Sequence, residues 1–218
     1  MNAREKLFAR LRRDLGPPRV EARIVAEAAA LAGEAAASRP ALPCADLVEA
    51  FMQRLLSPKV SGASVARVAR LDDVPRAVQA YCAEQGLEPA IALQPEAALA
   101  ALDWSGFALH AQASGDEAIA VSKARYAIAE TGTFVFHSGT DTPVLLAFLP
   151  RHHICVIEAK RVLGHLEDYA AAAAGEPAPR NVNLITGASG TSDIEGRMVR
   201  GAHGPGSLHA IIVDPRAE

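Results

Sequence analysis

Ile154-Cys155-Val156-Ile157 is apolar at every position. A strand with one face in water alternates apolar and polar residues, so a run without alternation is covered on both faces, as in a parallel sheet held between layers. Ala90–Leu93 and Ile119–Val121 share this texture. Further short β-prone runs at Ser64–Val68, Gly106–Leu109, Thr133–Phe136, Val182–Ile185 and Leu208–Val213 alternate with helical patterns at Val74–Gln85, Pro95–Ala101, Lys160–Ala174 and Ser192–Val199. The alternation predicts an α/β domain with a largely parallel sheet flanked by helices.

Upstream the pattern changes. Leu7, Leu11 and Leu15 recur every four residues with Phe8 beside them, and Arg4, Lys6, Arg10, Arg12 and Arg13 fill the other positions until Gly16-Pro17-Pro18 ends the helix. A second helix from about Val20 to Ser38 places Ile24, Ala28, Leu31 and Ala35 on one face. Asp46 with Glu49 begins a third, over Leu47–Leu56, in the manner of a capping box. Residues 1–57 therefore read as a helical arm that packs on the domain or on a second subunit, making the chain a homo-oligomer in the latter case, and residues 58–218 as the α/β domain.

The 218 residues are 50% hydrophobic and 22% charged, enough apolar material for a sizeable core. A formal charge of −3 and a pI near 6.2 give nucleic acid no electrostatic hold. The longest wholly apolar run, Val144–Pro150, is far below the roughly 20 residues that cross a bilayer, and the charged start MNAREKLFARLRRDL has no secretory pattern. A cytoplasmic protein is expected. Cys44, Cys82 and Cys155 lie too far apart to form a C-x-x-C pair, so no zinc or iron–sulfur site is expected on this chain.

In open α/β sheets, ligands bind in loops beyond the carboxyl ends of strands. Three polar, glycine-rich stretches are candidates for such loops. In Glu130-Thr131-Gly132-Thr133, glycine permits a tight turn beside two hydroxyls and a carboxylate. Either the turn grips a carboxylate or phosphate with Glu130 as general base, or the threonines merely cap it.

Thr186-Gly187-Ala188-Ser189-Gly190-Thr191-Ser192-Asp193-Ile194-Glu195 reads as strand, loop and helix start. Gly187, Ser189 and Thr191 are candidate ligand contacts, and Asp193 is a candidate base, with Glu195 as an acceptor for a hydroxylated ligand. The alternative is a helix start alone, with Ser192 and Glu195 as a capping box. Gly201-Ala202-His203-Gly204-Pro205-Gly206 leaves His203 exposed, as a general acid or base beside Gly204 or as a plain hydrogen-bonding residue. His152-His153 lacks the i, i+4 spacing of metal ligands on a helix and reads as a surface loop. Lys123 and Arg125 either neutralise a carboxylate substrate or form a solvated pair.

Glu130-Thr131-Gly132-Thr133, then Leu149-Pro150-Arg151-His152-His153-Ile154, then Ile185–Glu195 and Gly201–Pro205, in that order, resemble the LUD domain family, that of lactate utilization protein C. The likeness runs from about Val60 to Asp214. It implies a fold like that of ribose-5-phosphate isomerases, glucosamine-6-phosphate isomerases and CoA transferases. It also implies a role in oxidising L-lactate to pyruvate beside partner proteins that hold iron–sulfur clusters, this chain binding no cofactor alone and taking a small anionic substrate. Where the family has Gly-Pro-Ser before a larger residue, this chain has Gly187-Ala188-Ser189-Gly190, a more flexible loop. The residues leave two other readings open: a free-standing isomerase or acyl-transfer enzyme on a phosphorylated or acyl-CoA substrate, and a scaffold.

Overall fold

In the computed structural model, residues 2–17, 20–34, 39–58, 60, 62–110, 117–192 and 198–217 are described. The chain divides into two compact units, residues 1–40 and 41–218. The first contains helices α1 (Ala3–Leu15) and α2 (Glu21–Gly33). Asn2 caps α1, accepting from Glu5 N while the Glu5 carboxylate accepts from Asn2 N, and Gly16 ends it.

The second unit opens with α3 (Leu47–Leu55), followed by β1 (Ala63–Val68), α4 (Val74–Gln85), β2 (Ala90–Leu93), α5 (Ala97–Ala100), β3 (Ala108–His110) and β4 (Ile119–Lys123). Then come β5 (Tyr126–Ile128), β6 (Thr133–His137), β7 (His152–Glu158), β8 (Val162–Leu163), α6 (Leu166–Ala173), β9 (Val182–Ile185), β10 (Gly190–Ser192), β11 (Met198–Arg200) and β12 (Ser207–Val213). Six strands form one sheet in the order β1-β12-β7-β4-β2-β3, and every pairing in it is parallel. A second sheet, β8-β5-β6-β9, is mixed.

The unbroken apolar runs are central strands covered on both faces, as their composition requires. Along β12, Leu208, Ala210 and Ile212 join a core with Phe51 and Leu55 of α3 and Phe134 of the second sheet. The alternate residues Ile211 and Val213 join another with Val74 and Val78 of α4. Period-two alternation thus serves two cores from one strand.

Helix α3 was expected within the N-terminal arm, yet it lies in the second unit, with Phe51 and Leu55 fully buried. Its start is held by Asp46, whose side chain accepts from Val48 N and Glu49 N. Asp46 in turn meets Arg216, which also grips the buried Asp214, itself paired with Arg67 of β1 at 2.7 Å. This clasp ties the cap of α3 to the chain end beyond β12. The hydrogen bond from Arg216 leads in holding the Asp214 carboxyl down at about 2.

Two expected helices differ. Only Leu166–Ala173 of the Lys160–Ala174 stretch is α-helical; β-branched Val162 pairs instead beside Ala127 as a short strand, and Gly164 separates it from the alanine run. In Ser192–Val199 both described ends are strand: β10 and β11 pair antiparallel, with Ser192 opposite Met198. Thr191 and Val199, both strand formers, face each other there, and the expected capping-box partner Glu195 lies outside the described residues. No described helix is long and apolar enough to cross a membrane.

Candidate functional site

Three adjacent parallel strands, β2, β4 and β7, end at one cleft of about 500 Å³. Gln94 follows β2, Lys123 closes β4 and Glu158 closes β7, and all three line it. The remaining walls are Glu96, Ala124-Arg125, Phe136–Thr142 in part, Arg161, and Glu176–Pro179 from the connection between α6 and β9. Crevices at the carboxyl ends of parallel strands are where such sheets hold ligands.

The floor is ionised and internally matched. Lys123 Nζ lies 3.1 Å from Glu158 Oε1 and 3.6 Å from Glu96 Oε1, while Lys160 reaches the second Glu158 oxygen at 2.7 Å. Burial raises the Glu158 carboxyl, but hydrogen bonds from Lys160 and Lys123, with their charges, outweigh it and hold the group below its ordinary value. It is therefore a carboxylate at neutral pH. Buried Gln94 accepts from Lys123 N at 2.6 Å and donates to Thr142 Oγ1 at 3.0 Å, which fixes the floor to the loop after β6.

On the wall, Arg125 grips Glu176 through two contacts of 2.8 and 2.7 Å, and Tyr126 OH donates to the same carboxylate. The Arg125 hydrogen bond leads in holding Glu176 low. His137 Nε2 lies 2.9 Å from Tyr169 OH; burial, and then the charge of Arg125, lower its pKa, so the imidazole is neutral at pH 7. The Arg161 guanidinium rests 5.3 Å from the Tyr126 ring centroid and, among the described residues, makes no ion pair. The cleft thus offers a cation, an ionised carboxylate and a neutral imidazole together.

At the opposite, amino-terminal edge of the sheet a histidine–tyrosine cluster is packed in neutral form. His209 Nδ1 lies 2.8 Å from Ser64 Oγ, its ring stacks on Tyr81 at 4.3 Å, and Tyr81 OH lies 2.9 Å from His152 Nδ1. Burial pushes His209 down to about 4 and Tyr81 up to about 12. Both residues of the His152-His153 pair, expected in a surface loop, belong to β7. His153 is wholly buried with Nε2 2.5 Å from Ser122 Oγ, and burial lowers it to about 4.

The three glycine-rich stretches lie outside the residues of that cleft. Glu130 and Thr131-Gly132 form the β5–β6 turn. Gly132 has φ +68°, and a Cβ there would sit 2.7 Å from Leu55 N, so the glycine lets α3 approach the turn. Glu130 N donates to Gly164 O, and Glu130 Oε2 is buried without a hydrogen-bond partner among the described residues. Thr133 Oγ1 meets both Thr131 Oγ1 and Thr186 Oγ1, which joins the first stretch to the second.

The second and third stretches are packed together. Ser189 N donates to Pro205 O, Gly201 N donates to Ser189 O, and a Cβ on Gly204 would meet Ser189 Cβ at 3.2 Å. Gly187 is buried with φ +70°, Thr191 stands in β10, and His203 is exposed. Gly201–Gly206 precedes β12, so this stretch lies at the amino end of a strand and not at a carboxyl end as expected. Asp193 and Glu195 lie outside the described residues.

Of the cleft's residues, reading the sequence reached Lys123 and Arg125 and missed Gln94, Glu158, His137 and Glu176. For Gln94, Glu158 and His137 the usable signal was the first polar residue after an apolar run.

Residues 57–213 match the profile of the LUD domain. The chain belongs to the LUD domain family. This LUD chain is 34% identical over 103 residues to lactate utilization protein C of Halalkalibacterium halodurans, a stretch covering 45% of each chain. It is 37% identical over 89 residues to lactate utilization protein C of Deinococcus radiodurans, covering 40% of this chain and 42% of that one. These alignments span less than half the length of either relative. A crystal structure of a DUF162 family protein from Deinococcus radiodurans superposes with a TM-score of 0.54 at 22% identity, covering 78% of this chain and 97% of the other, which shows a shared fold.

Proposed function

We propose that this LUD chain serves lactate utilization as a subunit of a system that oxidises L-lactate to pyruvate, working with iron–sulfur partner proteins, and that the cleft beyond β2, β4 and β7 takes the small hydroxy acid. The observation that carries the reading is family membership over residues 57–213 together with relatives named lactate utilization protein C. The cleft's chemistry agrees with it. Arg161 has donors for a carboxylate, ionised Glu158 accepts from a 2-hydroxyl, and neutral His137 stands ready to take a proton.

Removing two electrons from lactate requires an acceptor. Cys44, Cys82 and Cys155 are separate free thiols, the latter two buried in α4 and β7, a poor donor set for an iron–sulfur cluster. That chemistry supports an acceptor carried by the partner polypeptides. The test is lactate-dependent electron transfer by the purified chain alone and by the complex recovered from the native cell: the complex turns over and the chain alone does not. Turnover of lactate by the isolated, metal-free and flavin-free chain would sink this reading.

The cleft's volume, several times that of a three-carbon acid, favours one second reading, a free-standing isomerase or acyl-transfer enzyme. That reading gains if the isolated chain converts a phosphorylated sugar or acyl-CoA.

A further inference from the structure

The first unit, residues 1–40, lies outside the stretch that defines the family. Helices α1 and α2 have 13 residues each, and isolated helices of roughly 12–15 residues are marginal in water unless an apolar face is buried. Helix α1 buries no residue. Leu7 (57%), Leu11 (41%) and Leu15 (80%) stand exposed along one face with Phe8 beside them, and Ile24 (49%) and Leu31 (70%) stand exposed along α2. Apolar faces of this extent mark an interaction surface.

The charges on the two helices say what covers it. Helix α1 carries five basic residues, Arg4, Lys6, Arg10, Arg12 and Arg13, against Glu5 and Asp14. Helix α2 with the residue that follows carries Glu21, Glu27 and Glu34 against Arg23. One helix is net basic and the other net acidic, so the arm is complementary to itself. In a twofold arrangement a patch meets its own copy, and each surface contact occurs twice.

We propose that the arm docks on the arm of a second copy of this chain, α1 of each laid against α2 of the other, with Leu7, Leu11 and Leu15 packed on Ile24 and Leu31 and the basic flank of α1 along the acidic flank of α2. The inference is independent of the lactate reading. An anionic membrane would attract the basic helix, but the acidic α2 beside it would be repelled there.

The experiment is sedimentation equilibrium of the full chain over a range of concentrations. A mass twice 22.8 kDa is expected, falling to 22.8 kDa on dilution. Leu11→Glu with Leu31→Glu weakens association at least about tenfold, while thermal unfolding of the α/β domain is unchanged. A second pair of variants tests the pairing itself: Arg10→Glu with Arg13→Glu in one, Glu21→Lys with Glu34→Lys in the other. Each self-associates weakly, and mixing the two restores the dimer.

A wild-type chain that stays monomeric throughout would overturn the proposal, as would a dimer insensitive to both sets of substitutions. Arm-dependent binding to vesicles of mixed phosphatidylcholine and phosphatidylglycerol, without dimerisation, would overturn it in favour of a lipid surface.

Discussion

The two edges of the parallel sheet are built by different rules. At the carboxyl edge the loops stand apart and leave room for a cleft, whose walls carry ionised groups tied in pairs: Lys123 with Glu158 and Glu96, Arg125 with Glu176. Toward the amino edge the loops close on one another through glycines, Gly204 on Ser189 and Gly62 on Ala188, and the packed side chains of His209, Tyr81 and His152 there are neutral at pH 7. Motif density and the cleft are therefore separate in this chain. The glycine-rich stretches hold elements together, while single polar residues at strand ends form the cleft.

The largest expected effect is acid sensitivity of the neutral histidines. Burial depresses His153 and His209 from 6.5 to about 4. The unfolded chain takes up their protons first, so their contribution to stability is whole above pH 6.5 and is lost as pH falls toward 4. At about 1.4 kcal/mol per pKa unit, each accounts for about 3 kcal/mol across that window. Urea unfolding at pH 7.5 and pH 4.5 measures the loss, and His209→Gln makes the profile shallower by about half. Asp214, held near 2, adds its own loss only below the ordinary carboxylate range, so the two contributions are separated by pH.

Next comes Gly132→Ala. The left-handed backbone at φ +68° and the 2.7 Å approach to Leu55 N together predict a loss of roughly 2–4 kcal/mol in equilibrium unfolding. Unchanged stability would return the Glu-Thr-Gly-Thr stretch to the list of ligand-gripping loops. Lys123→Met has the reverse signature: about 1 kcal/mol of stability or less, since Lys160 still serves Glu158, but loss of lactate-dependent activity in the complex. The smallest effect belongs to His203→Ala. Its side chain is exposed, so stability should move by less than about 0.5 kcal/mol. A loss of activity in that variant would place function at the amino edge and break the contrast.

The fold was readable because burial on both faces leaves a mark on composition. Ile154–Ile157 and Ile119–Val121 could not be solvent-facing strands, and the helical pattern at Val74–Gln85 matches α4. Elements that depend on a distant partner were not readable. Val162–Leu163 is a strand only because Ala127–Ile128 lies beside it, and Gly190–Ser192 only because Met198–Arg200 pairs with it. Helix α3 looked like part of an arm since its apolar face gives no hint of which core it enters.

The site divides in the same way. Lys123 and Arg125 stood out by charge near a motif, but Glu158 and Gln94 are ordinary residues whose meaning comes from strand order, which places β7, β4 and β2 side by side. Glycine signals local geometry, and in this chain that geometry was close packing.

The central claim is that the carboxyl-edge cleft, and not the glycine-rich loops, carries the function. Growth on L-lactate of a strain lacking the gene, complemented with Lys123→Met or with His203→Ala at matched protein abundance, tests it most directly. Failure of Lys123→Met with full rescue by His203→Ala is the predicted result, and full rescue by Lys123→Met would contradict the account.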